Sequence, residues 1–492
     1  MGFRELLVGL IALLCVGLGL LMMEQPRTGL QVRSIDADGT PATLMQVPGV
    51  TGPVVVIAHG FAGSRQLMHP YQMTLARAGY ITLSYDLEGH GRNLQPLRGD
   101  VNDIEGTTRF LLDELGRVID TGLALPGADG RLALLGHSMA SDLVARGAVE
   151  DDRVAATVAI SSFSEAISAQ DPSNLLIING AWEGRLRDEA RRIMAELQAE
   201  EDETVGAPGE DFARRAVAIP RVEHVSILYA PAALQEALDW LNASFGRQLE
   251  NGVGAIGVPI LVTLLGLVLL AYPIAQTMKG RRRLDEVPPG AFWTLTLAPA
   301  ILTPFVLVLV PTDFLPVLVA DYLAVHLAVY GLLVLVGLAI EGDMPRLRGW
   351  TAGLAVALYG ILVVGGVLDR YVASFVPTEP RWTIFVAILP GAVLAMVGDA
   401  TLLQAGGAPF LRRFAARTAF LMSLGIAVAL DFERLFFLIL VMPVLVLFYL
   451  VYGTIGGFVG RRTGSSFGMG LGLGIILAWA LAVSFPMFDG TI

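Results

Sequence analysis

The stretch RLALLGHSMASDL, residues 131–143, decides the fold of the first half of the chain. Its apolar residues 132–135 predict a buried strand, and Gly136-His137-Ser138 form an abrupt turn before a predicted helix. Small residues on both sides of Ser138 fit a tight strand-to-helix turn that presents the hydroxyl at the end of a sheet. A Gly-Ser cap on an ordinary helix gives the same pattern, so the stretch alone leaves both interpretations open.

Strand and helix patterns alternate on both sides of this turn, from residue 29 to residue 247. Short apolar runs predict strands at 53–58, 80–85, 131–135, 154–160, 174–178 and 215–219. Helical patterns separate them, such as 103–120, and Asp38-Gly39 predicts a hairpin turn before the first run. The expected fold class is therefore α/β, with a doubly wound, mostly parallel sheet and helices on both faces.

The composition divides the chain into two parts. Hydrophobic residues make up 54% of the 492 residues and charged residues 16%, whereas soluble domains have roughly 45–50% and about 25%. Residues 24–251 nevertheless carry 32 acidic and 19 basic side chains, as a soluble domain does. The excess of acidic over basic side chains argues against a nucleic-acid partner, because the phosphate backbone is itself negatively charged. The single cysteine, Cys15, excludes an intrachain disulfide and leaves the redox compartment open.

Long apolar segments predict an integral, multi-pass membrane protein. Residues 6–23 are uninterrupted apolar and long enough to cross a bilayer. A cleaved signal peptide is the alternative, but Met22-Met23-Glu24-Gln25 follows where small residues would mark a cleavage site. Eight further spans are expected near 253–276, 290–310, 316–340, 351–368, 383–404, 415–430, 435–459 and 465–487. The predicted domains are an anchor (1–28), an α/β domain (29–250) and an all-α multi-span transmembrane domain (251–492).

The basic residues of the short loops predict the orientation in the plasma or inner membrane. With the N-terminus in the cytoplasm, twelve basic residues lie on the cytoplasmic side: Arg4, Lys279, Arg281, Arg282, Arg283, Arg346, Arg348, Arg412, Arg413, Arg417, Arg461 and Arg462. The opposite side holds three in its short loops, Arg370, Arg381 and Arg434. The positive-inside rule then places the α/β domain outside the cytoplasm.

A nucleophilic serine needs a base within hydrogen-bond reach and an acid that orients the base. Of the six histidines, His326 lies within a predicted span, and His224 follows a predicted strand and precedes a closing helix at 231–243. Where a nucleophilic serine lies at a turn between a strand and a helix, the partners follow it along the chain in the order acid, then histidine. His224 is therefore the candidate base. A lone histidine is, however, more often structural.

The acid should lie at the tip of the strand that precedes the histidine's strand. NLLIINGAWEG ends such a strand at Ile178, turns at Asn179-Gly180 and presents Glu183, which is therefore the candidate acid. Asp188 remains the alternative acid, and a solvated loop glutamate is the interpretation without a function. Two backbone N–H groups should stabilise a developing oxyanion, one of them directly after the nucleophile, at Met139. HGFAG follows the strand at 53–58, which makes the Phe61 N–H the second candidate unless this is a plain glycine-rich turn.

Taken in order, HGFAG, YDLEGHGRN, GHSMA, NGAWEG and VEHVSIL resemble the α/β-hydrolase superfamily over residues 29–247. The resemblance implies hydrolysis or transfer of an acyl group through an ester on Ser138, and it makes Asp86 a structural loop residue. Ala140 replaces the last glycine of the family's turn, and a glutamate stands where aspartate is commoner. Residues 162–173 leave room only for a loop where many relatives carry a lid, so an open site is expected. An acidic helix is also predicted near 184–203, where it would shade the site.

The leading hypothesis is a membrane-embedded serine hydrolase with a Ser138–Glu183–His224 triad. Its substrate would be an ester or thioester of a lipid or another hydrophobic acyl compound, met beside the lipid bilayer. The alternative enzyme activities are those of a serine peptidase or an acyltransferase on the same fold. The non-enzymatic alternative is a transporter or scaffold whose hydrolase-like domain only binds a ligand. No cofactor or metal is expected, because the sequence contains no metal cluster, P-loop or dinucleotide fingerprint.

Ionisable residues inside predicted spans raise a separate functional hypothesis. Asp321, His326 and Asp399 are the candidates, although contact with water near the span ends explains the two aspartates equally well. Glycines recur at every fourth position at 456 and 460, and then at 464, 468 and 472. This spacing predicts close helix packing in the membrane.

Overall fold

The computed structural model describes residues 2–100, 104–248, 252–280, 285–312 and 314–489. The predicted boundary at 250/251 and three of the counted basic residues (281–283) lie outside these ranges. The chain forms two compact units. One comprises Gly19–Leu261 with Asp369–Ser374, and the other comprises Met1–Leu18, Val262–Leu368 and Phe375–Ile492.

The helices and strands are numbered here in chain order. The strands are β1 (Gln31–Ala37), β2 (Thr40–Gln46), β3 (Gly52–Ala58), β4 (Ile81–Tyr85), β5 (Ala128–His137), β6 (Val154–Ile160), β7 (Asn174–Gly180), β8 (Thr204–Gly206) and β9 (Ala213–Ile219). The helices up to residue 244 are α1 (Phe3–Glu24), α2 (His69–Arg77), α3 (Arg109–Leu123), α4 (Met139–Glu150), α5 (Gly184–Glu196) and α6 (Pro231–Ser244). The later helices are α7 (Gly257–Gln276), α8 (Pro289–Leu307), α9 (Ala320–Ile340), α10 (Trp350–Leu358), α11 (Gly365–Tyr371), α12 (Arg381–Leu402), α13 (Phe410–Leu430), α14 (Phe432–Leu435), α15 (Leu438–Thr463) and α16 (Ser466–Ser484).

The first unit is built on a nine-stranded sheet in the order β1-β2-β4-β3-β5-β6-β7-β9-β8. The six central strands, from β4 to β9 in this order, are parallel, and the β1–β2, β2–β4 and β8–β9 pairs are antiparallel. The mostly parallel α/β sheet is therefore confirmed. After β4 the chain crosses back over β3 to form β5, so strand order reverses beside β3 and β5. In open α/β sheets ligands bind outside the carboxyl ends of the strands at such a point.

Alternating side chains of the buried strands supply a core on each face of the sheet. On one face, Ile57, Leu135 and Ile178 pack with apolar residues of α2 and α6. On the other face, Leu134 contacts α4 so closely that a Cβ at Gly147 would lie 3.5 Å from it. Helices on both faces exclude water from the central strands, which explains their nearly continuous apolar sequences.

The hairpin prediction at Asp38-Gly39 is confirmed. Both residues have positive φ, 53° and 87°, as a two-residue turn between β1 and β2 requires. The Asp36 carboxylate accepts a hydrogen bond from the Gly39 N–H at 2.6 Å and closes the turn.

Two elements differ from the sequence-based expectations. The predicted helix at 103–120 begins later, as α3 at Arg109, and the turn Ile104–Thr108 before it is kinked by the non-helical backbone of Gly106 (φ −84°, ψ −110°). A long acidic helix was expected near 184–203, but α5 ends at Glu196 and the acidic chain then turns into β8. The Arg187 side chain binds Glu201 at 2.7 Å, a long-range pair that folds this segment back onto α5.

The second unit is helical. Within the described ranges, nine helical segments are long and apolar enough to cross a membrane, including Trp350–Tyr371, which joins α10 and α11 through a π turn. The span predicted as short at 415–430 extends over Phe410–Leu430 and has 21 residues. These helices are compatible with the predicted multi-pass protein.

Glycines allow backbones in this unit to approach closely, as their spacing predicts. A Cβ at Gly468 would lie 2.3 Å from the Gly349 carbonyl oxygen, and one at Gly472 would lie 2.6 Å from that of Gly353. Gly464 has another role, since its φ of 59° ends α15 in the left-handed conformation. His326 is fully buried, and its ring nitrogens lie 3.3 Å from the Tyr322 hydroxyl and 3.1 Å from that of Ser423.

Candidate active site

Ser138 occupies the turn between β5 and α4 in a strained conformation. Its φ of 55° and ψ of −122° lie in a region that residues with a side chain rarely adopt. The Ser138 N–H donates to the Ile160 carbonyl at 2.9 Å, and the Ser141 N–H donates to the Ser138 carbonyl at 2.8 Å. These bonds tie the turn to β6 on one side and to α4 on the other. Strain held in this way is typical of functional positions.

The structure brings Ser138, His224 and Glu183 into one hydrogen-bonded chain. His224 Nε2 lies 2.8 Å from Ser138 Oγ, and His224 Nδ1 lies 2.6 Å from Glu183 Oε1. An ionised carboxylate can only accept, so Nδ1 carries the proton and Nε2 is left to accept from the serine hydroxyl. Asp188, the alternative acid, lies exposed on α5 with Arg191 at 3.5 Å and does not join this chain.

Glu183 is held as a carboxylate. Burial alone would raise the pKa of its carboxyl, but hydrogen bonds from His224, from the Gly180 N–H at 2.6 Å and from the Ser161 hydroxyl at 2.9 Å lower it below its usual value. With the folded-state pKa lowered, these contacts contribute stability at neutral pH and lose it as the pH falls through that pKa. The acid is therefore ionised where it can orient the imidazole.

Two residues around the chain of hydrogen bonds were missed by sequence reasoning. Ser161 follows β6 with a φ of 50° and directs its hydroxyl to Glu183. His137 Nε2 lies 2.8 Å from the His224 carbonyl oxygen, so it donates there and fixes the backbone of the histidine loop. Burial, followed by the nearby charge of His224, lowers the pKa of His137 to about 4, which keeps this ring neutral. Adjacency to Ser138 was the available signal for His137, whereas nothing in the sequence marks Ser161.

The histidine loop is also held from its other side. The Glu223 carboxylate accepts hydrogen bonds from the N–H groups of Val225 and Ser226, both at 2.9 Å. The Ser226 hydroxyl in turn accepts from the Glu223 N–H at 3.1 Å. These reciprocal contacts close a tight turn from Glu223 to Ser226, directly before the short helix Ser226–Tyr229. His224 is thereby placed by backbone geometry as well as by its ring contacts.

The loop after β3 packs directly against the serine. A Cβ at Gly60 would lie 2.8 Å from Ser138 Cβ, so only glycine allows the backbone to approach this closely. The Gly63 N–H donates to the Gly60 carbonyl at 3.0 Å and closes a turn that carries Phe61. Met139 is the first residue of α4. Both backbone segments proposed for the oxyanion therefore flank Ser138.

Asp86 is a buried structural residue of the loop after β4. Its Oδ1 accepts from the Arg65 N–H at 2.8 Å, and its Oδ2 accepts from the Arg92 N–H at 3.0 Å. Neither His224 nor Ser138 is among its hydrogen-bond partners. This carboxylate links the loops after β3 and β4 behind the serine.

Apolar side chains lie exposed on the loops that carry Ser161, Glu183 and His224. Trp182 precedes Glu183 and is 69% exposed, Val225 follows His224 and is 52% exposed, and Phe163, two residues after Ser161, is 65% exposed. Residues 161–173, which connect β6 to β7, contain no helix or strand, as expected for a loop without a lid. We call Phe163, Trp182 and Val225 the apolar rim.

Comparison with known proteins supports a hydrolase. Residues 51–202 match the family model Hydrolase_4, serine aminopeptidase, S33. The match and the mostly parallel sheet support an α/β-hydrolase domain in this unit. No curated protein matches the chain.

Two of the solved structures that resemble part of the chain are a dienelactone hydrolase and an epoxide hydrolase. A dienelactone hydrolase from Anabaena variabilis has 19% identity, a TM-score of 0.33 and coverage of 45% of this chain and 100% of that one. An epoxide hydrolase from Vigna radiata has 20% identity, a TM-score of 0.22 and coverage of 27% of this chain and 39% of that one. The chain thus spans about two fifths of the length of the epoxide hydrolase.

Within the described ranges, no group of three or more His, Cys, Asp or Glu side chains is placed to hold a metal ion.

Gly136 provides a test of the turn at Ser138. A Cβ there would lie 2.1 Å from the Ala140 carbonyl oxygen. We expect Gly136→Ala to destabilise the protein by about 1–3 kcal/mol, as overpacking does, and to reduce activity by displacing Ser138. The matched control is Gly116→Ala in α3, where a Cβ meets nothing within 4 Å. Thermal unfolding should show a lower midpoint for Gly136→Ala only, and equal midpoints would contradict this description of the turn.

Proposed function

We propose that the protein is a membrane-embedded serine hydrolase that cleaves an ester or thioester of a lipid or another hydrophobic acyl compound. The observation that carries the proposal is the hydrogen-bonded chain from Ser138 through His224 to Glu183 at a strained strand-to-helix turn. A structural serine has no need of a buried carboxylate aligned behind its histidine partner. The α/β-hydrolase fold and the family match support the same conclusion.

The geometry supports a two-step acyl transfer. Ser138 Oγ attacks the carbonyl carbon while its proton passes to His224 Nε2, and a tetrahedral oxyanion forms. Collapse of the oxyanion expels the alcohol or thiol, which takes the proton from His224 and leaves an acyl ester on Ser138. A water molecule then attacks this ester, gives a proton to His224, and releases the carboxylic acid as the serine recovers its proton.

We assign two groups to stabilisation of the charges that develop. Glu183 stays ionised and stabilises the imidazolium of His224 without accepting its proton. The backbone N–H groups of Phe61 and Met139 are the proposed oxyanion donors, because their segments flank Ser138. Removing one such donor in serine proteases typically costs about 10²–10³ in kcat.

The apolar rim supports a hydrophobic acyl group. Binding sites for small molecules are lined mostly by apolar and aromatic side chains, and the three side chains of the rim lie exposed on loops at one edge of the sheet. Phe163, Trp182 and Val225 follow the carboxyl ends of three neighbouring strands, at the edge of the sheet where Ser138 lies. A peptidase is the second candidate function, because the matching family model describes aminopeptidases. An acyltransferase would use the same acyl-enzyme with an acceptor other than water.

The triad prediction compares four variants of the full chain in detergent. Ser138→Ala should abolish turnover and labelling by a fluorophosphonate, and His224→Ala should do nearly as much damage because triad members act as a unit. Glu183→Gln should cost less than either, and the matched control Asp188→Asn should leave activity unchanged. Turnover by folded Ser138→Ala protein would rule out the mechanism, and an inactive Asp188→Asn protein would show that the acid is misassigned.

The apolar rim predicts chain-length selectivity. A Phe163→Ser/Trp182→Gln variant should lose at least about tenfold, or about 1.4 kcal/mol, in kcat/KM for p-nitrophenyl octanoate. Turnover of p-nitrophenyl acetate should change less than about twofold, because its acyl group is too short to contact the rim. Val149→Ser, which replaces a 50% exposed residue at the end of α4, is the control. Equal losses on both esters would contradict an acyl-binding rim, and faster cleavage of aminoacyl anilides than of esters would favour the peptidase.

The extracytoplasmic location of the hydrolase domain is also a proposal. It rests on the bias of basic residues, since each Lys or Arg costs roughly 2.5–3.5 kcal/mol at the bilayer centre. In a Cys15→Ser background, Asp152→Cys should react with a membrane-impermeant maleimide in intact cells, because Asp152 is exposed in the hydrolase unit. Asp343→Cys, exposed between α9 and α10, should react only after lysis. The reverse pattern would place the hydrolase domain in the cytoplasm.

A further inference from the structure

A short segment distant in sequence belongs to the hydrolase unit. Asp369–Ser374 clusters with Gly19–Leu261, although it comprises the end of the apolar helical segment Trp350–Tyr371 and the residues just after it, before the next apolar helix begins at Arg381. More than 100 residues separate it from Leu261, the last residue of the main segment of this unit. We call Asp369–Ser374 the distal segment, and residues 59–64, which carry the proposed oxyanion donor Phe61, the oxyanion loop.

The distal segment binds the end of the oxyanion loop. The Ser374 N–H donates to Ser64 Oγ at 3.0 Å, and both serines are buried. Two residues beyond Ser64, the Gln66 side chain donates to the Asp369 carbonyl at 3.3 Å. A buried backbone N–H needs a partner, so the Ser64 hydroxyl has a fixed position relative to the distal segment.

An ion pair joins the distal segment to the loop after β4. Arg92 Nη2 lies 2.6 Å from Asp369 Oδ2. The backbone N–H of Arg92 binds Asp86, which also accepts from the Arg65 N–H directly after the oxyanion loop. A continuous set of polar contacts therefore runs from Asp369 through Arg92 and Asp86 to the residue that follows Ser64.

The other side of the distal segment is fixed to the end of α1. Arg370 lies 2.8 Å from the Glu24 carboxylate, and the Tyr371 hydroxyl donates a hydrogen bond to the same carboxylate. The segment is thus held at both ends, by the side chains of residues 369–371 at one end and by the backbone N–H of Ser374 at the other. An element fixed in this way can hold a neighbouring loop in position.

From these contacts we propose that the distal segment positions the oxyanion loop, with Asp369 as a positioning residue for catalysis at Ser138. The proposal rests on the proposed hydrolase function. Gly60 touches Ser138, and the loop's other end is fixed by Ser64, so a shift at Ser64 moves the Phe61 N–H relative to the serine. Misplacement by about 1 Å can cost about 10²-fold in rate. The hydrolase site is then complete only when the distal segment is in place.

The test compares Asp369→Asn with wild-type full-length protein in detergent. Asp369→Asn keeps the shape of the side chain and removes the ion pair with Arg92. We expect kcat for p-nitrophenyl acetate to fall about tenfold with KM changed less than about twofold, because the segment positions a loop and does not touch substrate. The rate of fluorophosphonate labelling of Ser138 should fall by a similar factor. Asp120→Asn, which breaks the 2.8 Å pair with Arg153 away from the site, should leave both rates unchanged.

Rescue separates positioning from a general loss of stability. The charge-reversed double variant Arg92→Asp/Asp369→Arg should recover at least half of the lost kcat, while Arg92→Asp alone should resemble Asp369→Asn. The thermal midpoint of each variant shows whether it is folded at the assay temperature. Ser64→Ala, which removes the acceptor of the Ser374 N–H, should lower kcat independently of charge.

The results of these experiments distinguish failure of the positioning role from failure of the proposed hydrolase function. An Asp369→Asn protein that is folded and matches the wild type in kcat and labelling would overturn the positioning role and leave the proposed hydrolase function intact. A change in KM alone, or a fall in kcat that only follows the unfolded fraction, would overturn it as well. Wild-type protein that neither labels nor hydrolyses would overturn the proposed function, and the positioning role with it.

Discussion

The left-handed backbone at Ser138 is the constraint on which the arrangement around it depends. A serine with a φ of 55° persists only where the surrounding chain holds it. The Ile160 carbonyl binds its N–H, and the glycine backbones at 136 and 60 approach so closely that no side chain would fit. The strain is therefore balanced by contacts from β6 and from the loop after β3. These are the elements that also carry Ser161 and Phe61.

The reversal of strand order explains why these groups meet. Because β5 forms beside β3 and the sheet then continues through β6, β7 and β9, the loops at one edge follow each other in chain order. Serine, acid and base follow β5, β7 and β9 respectively, and β6 between them contributes Ser161. Ser138 and Glu183 are also held by backbone hydrogen bonds, from the Ser138 N–H to the Ile160 carbonyl and from the Glu183 N–H to the Gly180 carbonyl. The geometry is thus set by the sheet and is refined by hydrogen bonds such as that from His137 to the His224 carbonyl.

The parts that the sequence predicts well are those encoded by short-range patterns. Apolar runs predict the strands to within a few residues, Asp38-Gly39 predicts the hairpin, and the glycine spacing predicts close packing in the helical unit. The order of motifs along the chain suggests Ser138, Glu183 and His224, and the structure brings these three side chains together. Other features were not predictable because they arise from long-range contacts. Ser161 has an ordinary sequence context, β8 forms only where α5 folds back, and the distal segment lies beyond several spans.

The central claim is that an acyl group passes through Ser138. Mass spectrometry of protein quenched in acid during turnover of p-nitrophenyl octanoate tests this most directly, because acid preserves an ester on serine. The account predicts an octanoyl adduct on the peptide that contains Ser138, formed within the first turnover and absent after His224→Ala substitution. Turnover with no adduct, or with an adduct on a different residue that kinetics show to be an intermediate, would contradict it.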